Sequence, residues 1–189
     1  MFDEKYVVHS AMHKHTISLL FVAILFGCTP PPTAIELGNK YLENPTAYEQ
    51  LKKMIIEDTR QRHCFNIGTD NIGNYWEHDG KWKHHDDYET YVGLTDVLLT
   101  VGLTQNRYKQ YLKYFERAGA ERVEHCQETV LWGRWIRVLI YRSGLAVSGC
   151  TGTLEWFEHD PPLSKGTRGD GYFEVQKLKN GWRSMVDCT

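Results

Sequence analysis

The stretch Arg122-Val-Glu-His-Cys-Gln-Glu-Thr-Val-Leu-Trp-Gly-Arg-Trp-Ile-Arg-Val-Leu-Ile-Tyr141 decides the fold. Upstream of it, apolar residues recur at helical spacing. Within it the period shortens and Trp, Ile, Val and Leu accumulate, which are strand signals. Arg122 to Cys126 reads as one strand and Val130 to Tyr141 as a second, longer one. Arg142-Ser143-Gly144 supplies a turn, and Gly144 to Glu158 reads as a third strand. Pro161-Pro162 to Gly171 is a loop. Tyr172 to Lys177 and Trp182 to Val186 flank Lys179-Asn180-Gly181, and Asn-Gly is a strong hairpin turn because both residues tolerate positive φ. The C-terminal half is therefore expected to be an antiparallel meander of about four to five strands.

The preceding segment is helical with short extended interruptions. Thr46-Ala-Tyr-Glu49 spells a capping box, followed by Leu51, Met54 and Ile55 on one face and an end near Arg62. His63 to Gly68 reads as a short strand. Trp76 to Tyr91 is polar, aromatic and His-rich, and reads as a surface loop or ragged hairpin turning at Asp79-Gly80. Leu94 to Val101 and Gln105 to Ala118 carry apolar stripes; Thr104 can cap the second, and Gly119 can stop it. Helices first and strands later argue an α+β fold, with N-terminal helices packed on one face of a C-terminal antiparallel sheet.

The N-terminus reads as an address. The apolar run Ile17 to Gly27 is eleven residues, short of the roughly twenty that span a bilayer. Met12-His-Lys14-His-Thr precedes it as a weakly basic n-region. Met1 to Ala11 carries Asp3 and Glu4, which suits Met12 as the true start. The run closes on Leu25-Phe26-Gly27-Cys28, which resembles the lipobox of bacterial lipoprotein precursors. That resemblance implies removal of residues 1–27 and acylation of Cys28 as the mature N-terminus. Thr29, in place of Asp, implies the outer membrane and its periplasmic side. Residues 28–44 then form the lipidated Cys and a Pro-rich tether, since Pro30-Pro31-Pro32 favours extended backbone. Residues 45–189 form a single globular domain.

Four cysteines follow Cys28: Cys64, Cys126, Cys150 and Cys188. In an exported chain an even count reads as two disulfides. Three pairings are open. Cys64–Cys126 with Cys150–Cys188 is preferred, because the second pair could join neighbouring strands. No CxxC spacing supports a four-Cys zinc site.

The formal charge of −2 gives no electrostatic footprint for nucleic acid. No residue pattern implies a cofactor. His78, His84, His85, Asp86 and Asp87 form the best metal candidate, since imidazole and carboxylate bind zinc or copper. His63-Cys64 and His125-Cys126 invite a thiol-nucleophile reading, but a disulfide has no thiolate to attack with. Ser148-Gly149 lacks the first glycine of a nucleophile elbow. Gly166-Thr-Arg-Gly-Asp-Gly171 lacks the strand and helix that a phosphate loop requires.

Trp132 and Trp135 fall on opposite faces of a regular strand. Whichever faces solvent, with Arg134 or Arg137 beside it, could stack on a sugar or anchor a partner. These residues point to a non-enzymatic module, anchored in the membrane by lipid, that binds an envelope protein or glycan. A metal-assisted hydrolase using the His78–Asp87 region and a structural or assembly lipoprotein are the competing expectations.

Overall fold

Thr33 and Glu36 start the first helix. The Thr33 hydroxyl accepts from the Glu36 amide at 3.2 Å, and the Glu36 carboxylate accepts from the Thr33 amide at 2.7 Å. This reciprocal cap satisfies two otherwise orphaned amides and opens α1 (Ala34–Glu43). Its inner face buries Ala34, Leu37 and Tyr41. The sequence expectation of a tether reaching Asn44 is therefore corrected. The triple proline leads directly into a helix that packs in the core.

The computed structural model describes residues 30–129, 133–145, 148–159 and 171–189. Residues 1–27 with Cys28, Trp132, and the stretch 160–170 that contains Arg168 lie outside the described residues.

Helix α2 (Pro45–Thr59) begins one residue before the expected cap. Pro45 occupies the first turn, and Asn44 caps without a side-chain bond. Proline suits that position because its missing N–H would be unpaired there anyway. The expected Thr46/Glu49 box does not form. Glu49 instead accepts from the Trp182 indole at 2.7 Å.

Five short strands follow: β1 (Cys64–Gly68), β2 (Asn71–Ile72), β3 (Tyr75–His78), β4 (Lys81–His84) and β5 (Asp87–Val92). Asp79 and Gly80 turn between β3 and β4 with φ of 51° and 75°. Next come α3 (Leu94–Thr100) and α4 (Gln105–Ala118). Helix α4 has the Thr104 cap and the left-handed Gly119 stop that its sequence announces. The chain closes with β6 (Arg122–Thr129), β7 (Gly133–Leu145), β8 (Ser148–Phe157), β9 (Tyr172–Lys177) and β10 (Trp182–Cys188).

All ten strands join one antiparallel sheet in the order β5-β4-β3-β2-β1-β6-β7-β8-β10-β9. The fold is α+β, but the sheet is twice the expected size. The meander forms one half. The segment that reads as a surface loop or ragged hairpin forms much of the other: it is the β3–β4 hairpin extended by β5, in strands too short to show a clear period.

The helices cover one face. α1 lies against β8, β9 and β10, α2 against β1 and β6, and α4 against α2 and β1. Between them and the sheet lie Leu51, Ile55, Tyr111, Val123, Val138 and Leu154, each fully buried. Burying a side chain of this size stabilises by roughly 1.5–3 kcal/mol. Tyr41, Tyr48 and Trp182 cluster with ring centroids 5.7–6.3 Å apart.

Two cystines staple the sheet in the preferred pairing. Cys64 and Cys126 are direct partners across β1 and β6, and Cys150 and Cys188 across β8 and β10. Sequence separations of 62 and 38 residues correspond to about 4 kcal/mol of unfolded-state restriction each in the entropic account. Cys150→Ser with Cys188→Ser should therefore lower stability by up to about 4 kcal/mol, measured by urea unfolding, with the helical circular dichroism retained below the transition.

His125 is 1% exposed. Thr59 donates its hydroxyl proton to the Ile55 carbonyl at 2.7 Å. His125 Nδ1, 2.9 Å from the Thr59 hydroxyl oxygen, must then be the protonated nitrogen, donating to that hydroxyl. Burial first, then the nearby Arg134 guanidinium, push the imidazole from 6.5 down to about 4. The unfolded chain takes up this proton near pH 6.5 and the folded chain only near pH 4. The stabilisation is complete above pH 6.5 and is lost as pH falls towards 4, by about 3 kcal/mol in all. His125→Asn should flatten the pH dependence of the urea midpoint across that window.

Candidate functional site

Pairing register fixes what the face away from the described helices presents. In an antiparallel sheet, directly opposed residues share a face. Arg137 on β7 stands opposite Glu124 on β6 and Glu155 on β8. Glu155 stands opposite Arg183 on β10, and Arg183 opposite Lys177 on β9. One row of charged residues of both signs thus crosses five strands on the side away from the helices.

At its centre, Glu155 is 1% exposed. Arg137 Nε donates to one carboxylate oxygen at 2.9 Å. Arg183 donates to the other through Nε at 3.2 Å and a terminal nitrogen at 2.9 Å. A carboxylate this deeply enclosed is tolerable because both oxygens are held by guanidinium groups.

The neighbouring row supplies the aromatic surface. Trp135 stands opposite Phe157. The Arg137 guanidinium lies 5.0 Å from the Trp135 ring centroid, and that of Arg183 lies 4.0 Å from Phe157. Guanidinium planes stack well on rings and keep their edge N–H groups available. The result is a platform of two rings and two arginines around one buried carboxylate, with Arg137 exposed and Trp135 half-buried. Beside it, Arg134 holds Glu158 through two bonds, of 2.8 and 3.2 Å. Those bonds keep the Glu158 carboxyl down at about 2.

Trp135 and Arg137 thus occupy the position that alternation expects. The partners Glu155, Arg183 and Phe157 come from two other strands, and single-strand reading did not find them.

The His-rich segment is arranged differently. His78 on β3 shares the helix-free side of its hairpin with Trp76 and Lys81. His84 on β4 shares the opposite side with Tyr75 and the buried Trp82. His84 Nδ1 accepts from the Asp86 amide at 3.2 Å and stacks edge-on with Tyr75. Asp87 accepts from the Glu89 and Thr90 amides, both at 3.0 Å, as a turn carboxylate. His85 is exposed beside Asn74, Arg122 and Arg142. The structure does not gather His78, His84, His85 and Asp87 into one site. Among the described residues no three His, Cys, Asp or Glu side chains come together as a metal-holding group.

Comparison with known proteins gave no matching family model, no matching curated protein and no matching solved structure.

The platform's stability follows from unequal burial. Glu155→Ala leaves two guanidinium groups facing each other and should cost about 2–3 kcal/mol, below the full penalty of a buried pair because Arg137 reaches water. Arg137→Met should cost under about 1 kcal/mol, since Arg183 still neutralises the carboxylate. Urea titration of the two variants checks the order.

Proposed function

We infer that the mature chain is a non-enzymatic binding module. Acylated Cys28 holds it at the outer membrane facing the periplasm, and its helix-free sheet face takes an envelope protein or glycan. The observation that carries this reading is the platform of Trp135, Arg137, Glu155, Arg183 and Phe157. An exposed guanidinium stacked on a half-buried indole offers apolar area and directed donors together, the pairing found at energetic centres of interfaces. Its geometry is fixed in advance by strand register and by the buried carboxylate, so little ordering is needed on binding. The lipobox resemblance supports the anchor. Among the described residues no helix is long and apolar enough to cross a membrane.

Two measurements in cells test this. Labelled palmitate should enter the protein and fail to enter the Cys28→Ser variant. A photo-crosslinking residue at position 135 should give a discrete adduct that the same residue at position 113, on the exposed side of α4, does not give. Arg137→Glu should abolish that adduct. Equal adducts from both positions would overturn the assignment of the face.

A further inference from the structure

The helix-free face carries a second feature, one row along from the platform. Arg122 on β6, Leu139 on β7, Thr153 on β8 and Met185 on β10 stand directly opposite one another in sequence across the sheet. They line a depression of about 230 Å³, with Glu124 and Arg137 on one rim and Thr151 and Asp187 on the other. That volume is roughly eight waters' worth, too small for a macromolecular side of any size and suited to a dipeptide.

Two observations distinguish this depression from ordinary surface relief. Thr153 is 3% exposed, yet its hydroxyl has no hydrogen-bond partner. Arg122 Nε is likewise buried and unpartnered, while a terminal nitrogen of the same group lies 3.7 Å from Asp70. Buried polar groups are normally satisfied, and leaving one unpaired is costly. Both orphaned atoms belong to residues that line the same depression, just beneath its surface. A ligand that draws these two side chains towards it and accepts from both would recover their cost.

The charges at the rim select the kind of ligand. Arg122 and Arg137 sit on the β6–β7 side, and Asp187 sits across the floor on β10. The strands β6 and β10 are three sheet spacings, about 14 Å, apart at the backbone, and the long arginine side chains shorten the span. Glu124, beside the arginines, opposes a dianion. Leu139 and Met185 give the floor an apolar surface between the charged ends.

We propose that this depression is a binding site for a dipeptide-sized zwitterion. The carboxylate lies against Arg122 and Arg137, the peptide carbonyl accepts from the Thr153 hydroxyl, the ammonium faces Asp187, and an apolar side chain rests on Leu139 and Met185. The proposal rests on the binding-module reading only in placing the ligand on the same face. It does not need Trp135 to touch a partner.

Met185 makes the test direct. In the full-length chain held in detergent micelles and labelled with ¹³C-methyl methionine, the Met185 methyl reports on the depression. The Met54 methyl, 4% exposed in the helical core, is the control. Alanyl-leucine should shift Met185 saturably and leave Met54 in place. Acetylating its amine or amidating its carboxylate should each weaken binding about tenfold, as should Thr153→Val, each removing one charge-assisted or buried hydrogen bond. The peptide series on the unaltered chain decides the matter even if the variant folds poorly. No Met185 response at millimolar dipeptide, equal responses to the capped peptides, or equal movement of Met54 would overturn the proposal. A missing adduct at position 135 would instead count against the partner surface alone, so the two failures are distinguishable.

Discussion

The pairing of β1 with β6 is the constraint on which the remaining structure depends. It joins segments on either side of α3 and α4, and makes one sheet of the early hairpins and the late meander. Closing so long an excursion is entropically unfavourable before the contacts it allows are made. The Cys64–Cys126 cystine sits within the pairing and fixes its register. A slip of one residue would carry Phe65 and Ile67 from the core to the uncovered face and bring Asn66 and Gly68 inwards. The same slip on β6 would bring Glu124 under α2 and expel Val123 and His125. Register here determines which face is core and which is surface.

That two-sidedness explains an unusual distribution of charge. The helices bury a wide apolar layer on one side, so the other side needs no apolar content for stability. It carries Arg122, Glu124, Arg137, Glu155, Arg183 and Asp187, drawn from four strands. A buried glutamate between arginines is a weak source of stability compared with an apolar cluster of equal volume. What it contributes is fixed geometry: both guanidinium planes are held, one against Trp135 and the other against Phe157. Placing such a network on the uncovered face, where the helices contribute nothing, is what makes that face a credible binding surface rather than a leftover one.

Legibility in the sequence divided by range. Signals complete within a few residues agree with the structure: Thr104 and Gly119 bounding α4, Asp79-Gly80 and Asn180-Gly181 as hairpin turns, and the order of helices before the meander. Two local signals competed with stronger neighbours. Thr33-x-x-Glu36 caps α1 although three prolines precede it, and Pro45 displaced the box at Thr46. Around Asp79-Gly80 the ragged hairpin, not the loop, is what forms, as β3 and β4; β2 and β5 carry no signal of their own because two and six residues are too few to show a period. Trp135 and Arg137 could be nominated from alternation along one strand, whereas Glu155 and Arg183 needed knowledge of strand order.

The cystines carried more of that missing information than a count of cysteines conveys. Once Cys150 and Cys188 are direct partners on antiparallel strands, every opposed pair along β8 and β10 follows by stepping away from them in opposite directions. Five steps forward from Cys150 reach Glu155, and five steps back from Cys188 reach Arg183. Three steps each way reach Thr153 and Met185. From Cys64 and Cys126 the same stepping places Phe65 against His125 and Gly68 against Arg122. Residues an odd number of steps from Cys188 on β10 share the face that holds Arg183, Met185 and Asp187, and those at even steps share the core with Trp182, Ser184 and Val186. A disulfide between paired strands is therefore a ruler as well as a brace. In this chain the Cys150–Cys188 ruler sets Glu155 against Arg183 and Thr153 against Met185, while β7, which carries no cystine, brings Arg137 and Leu139 to those rows through its own pairing.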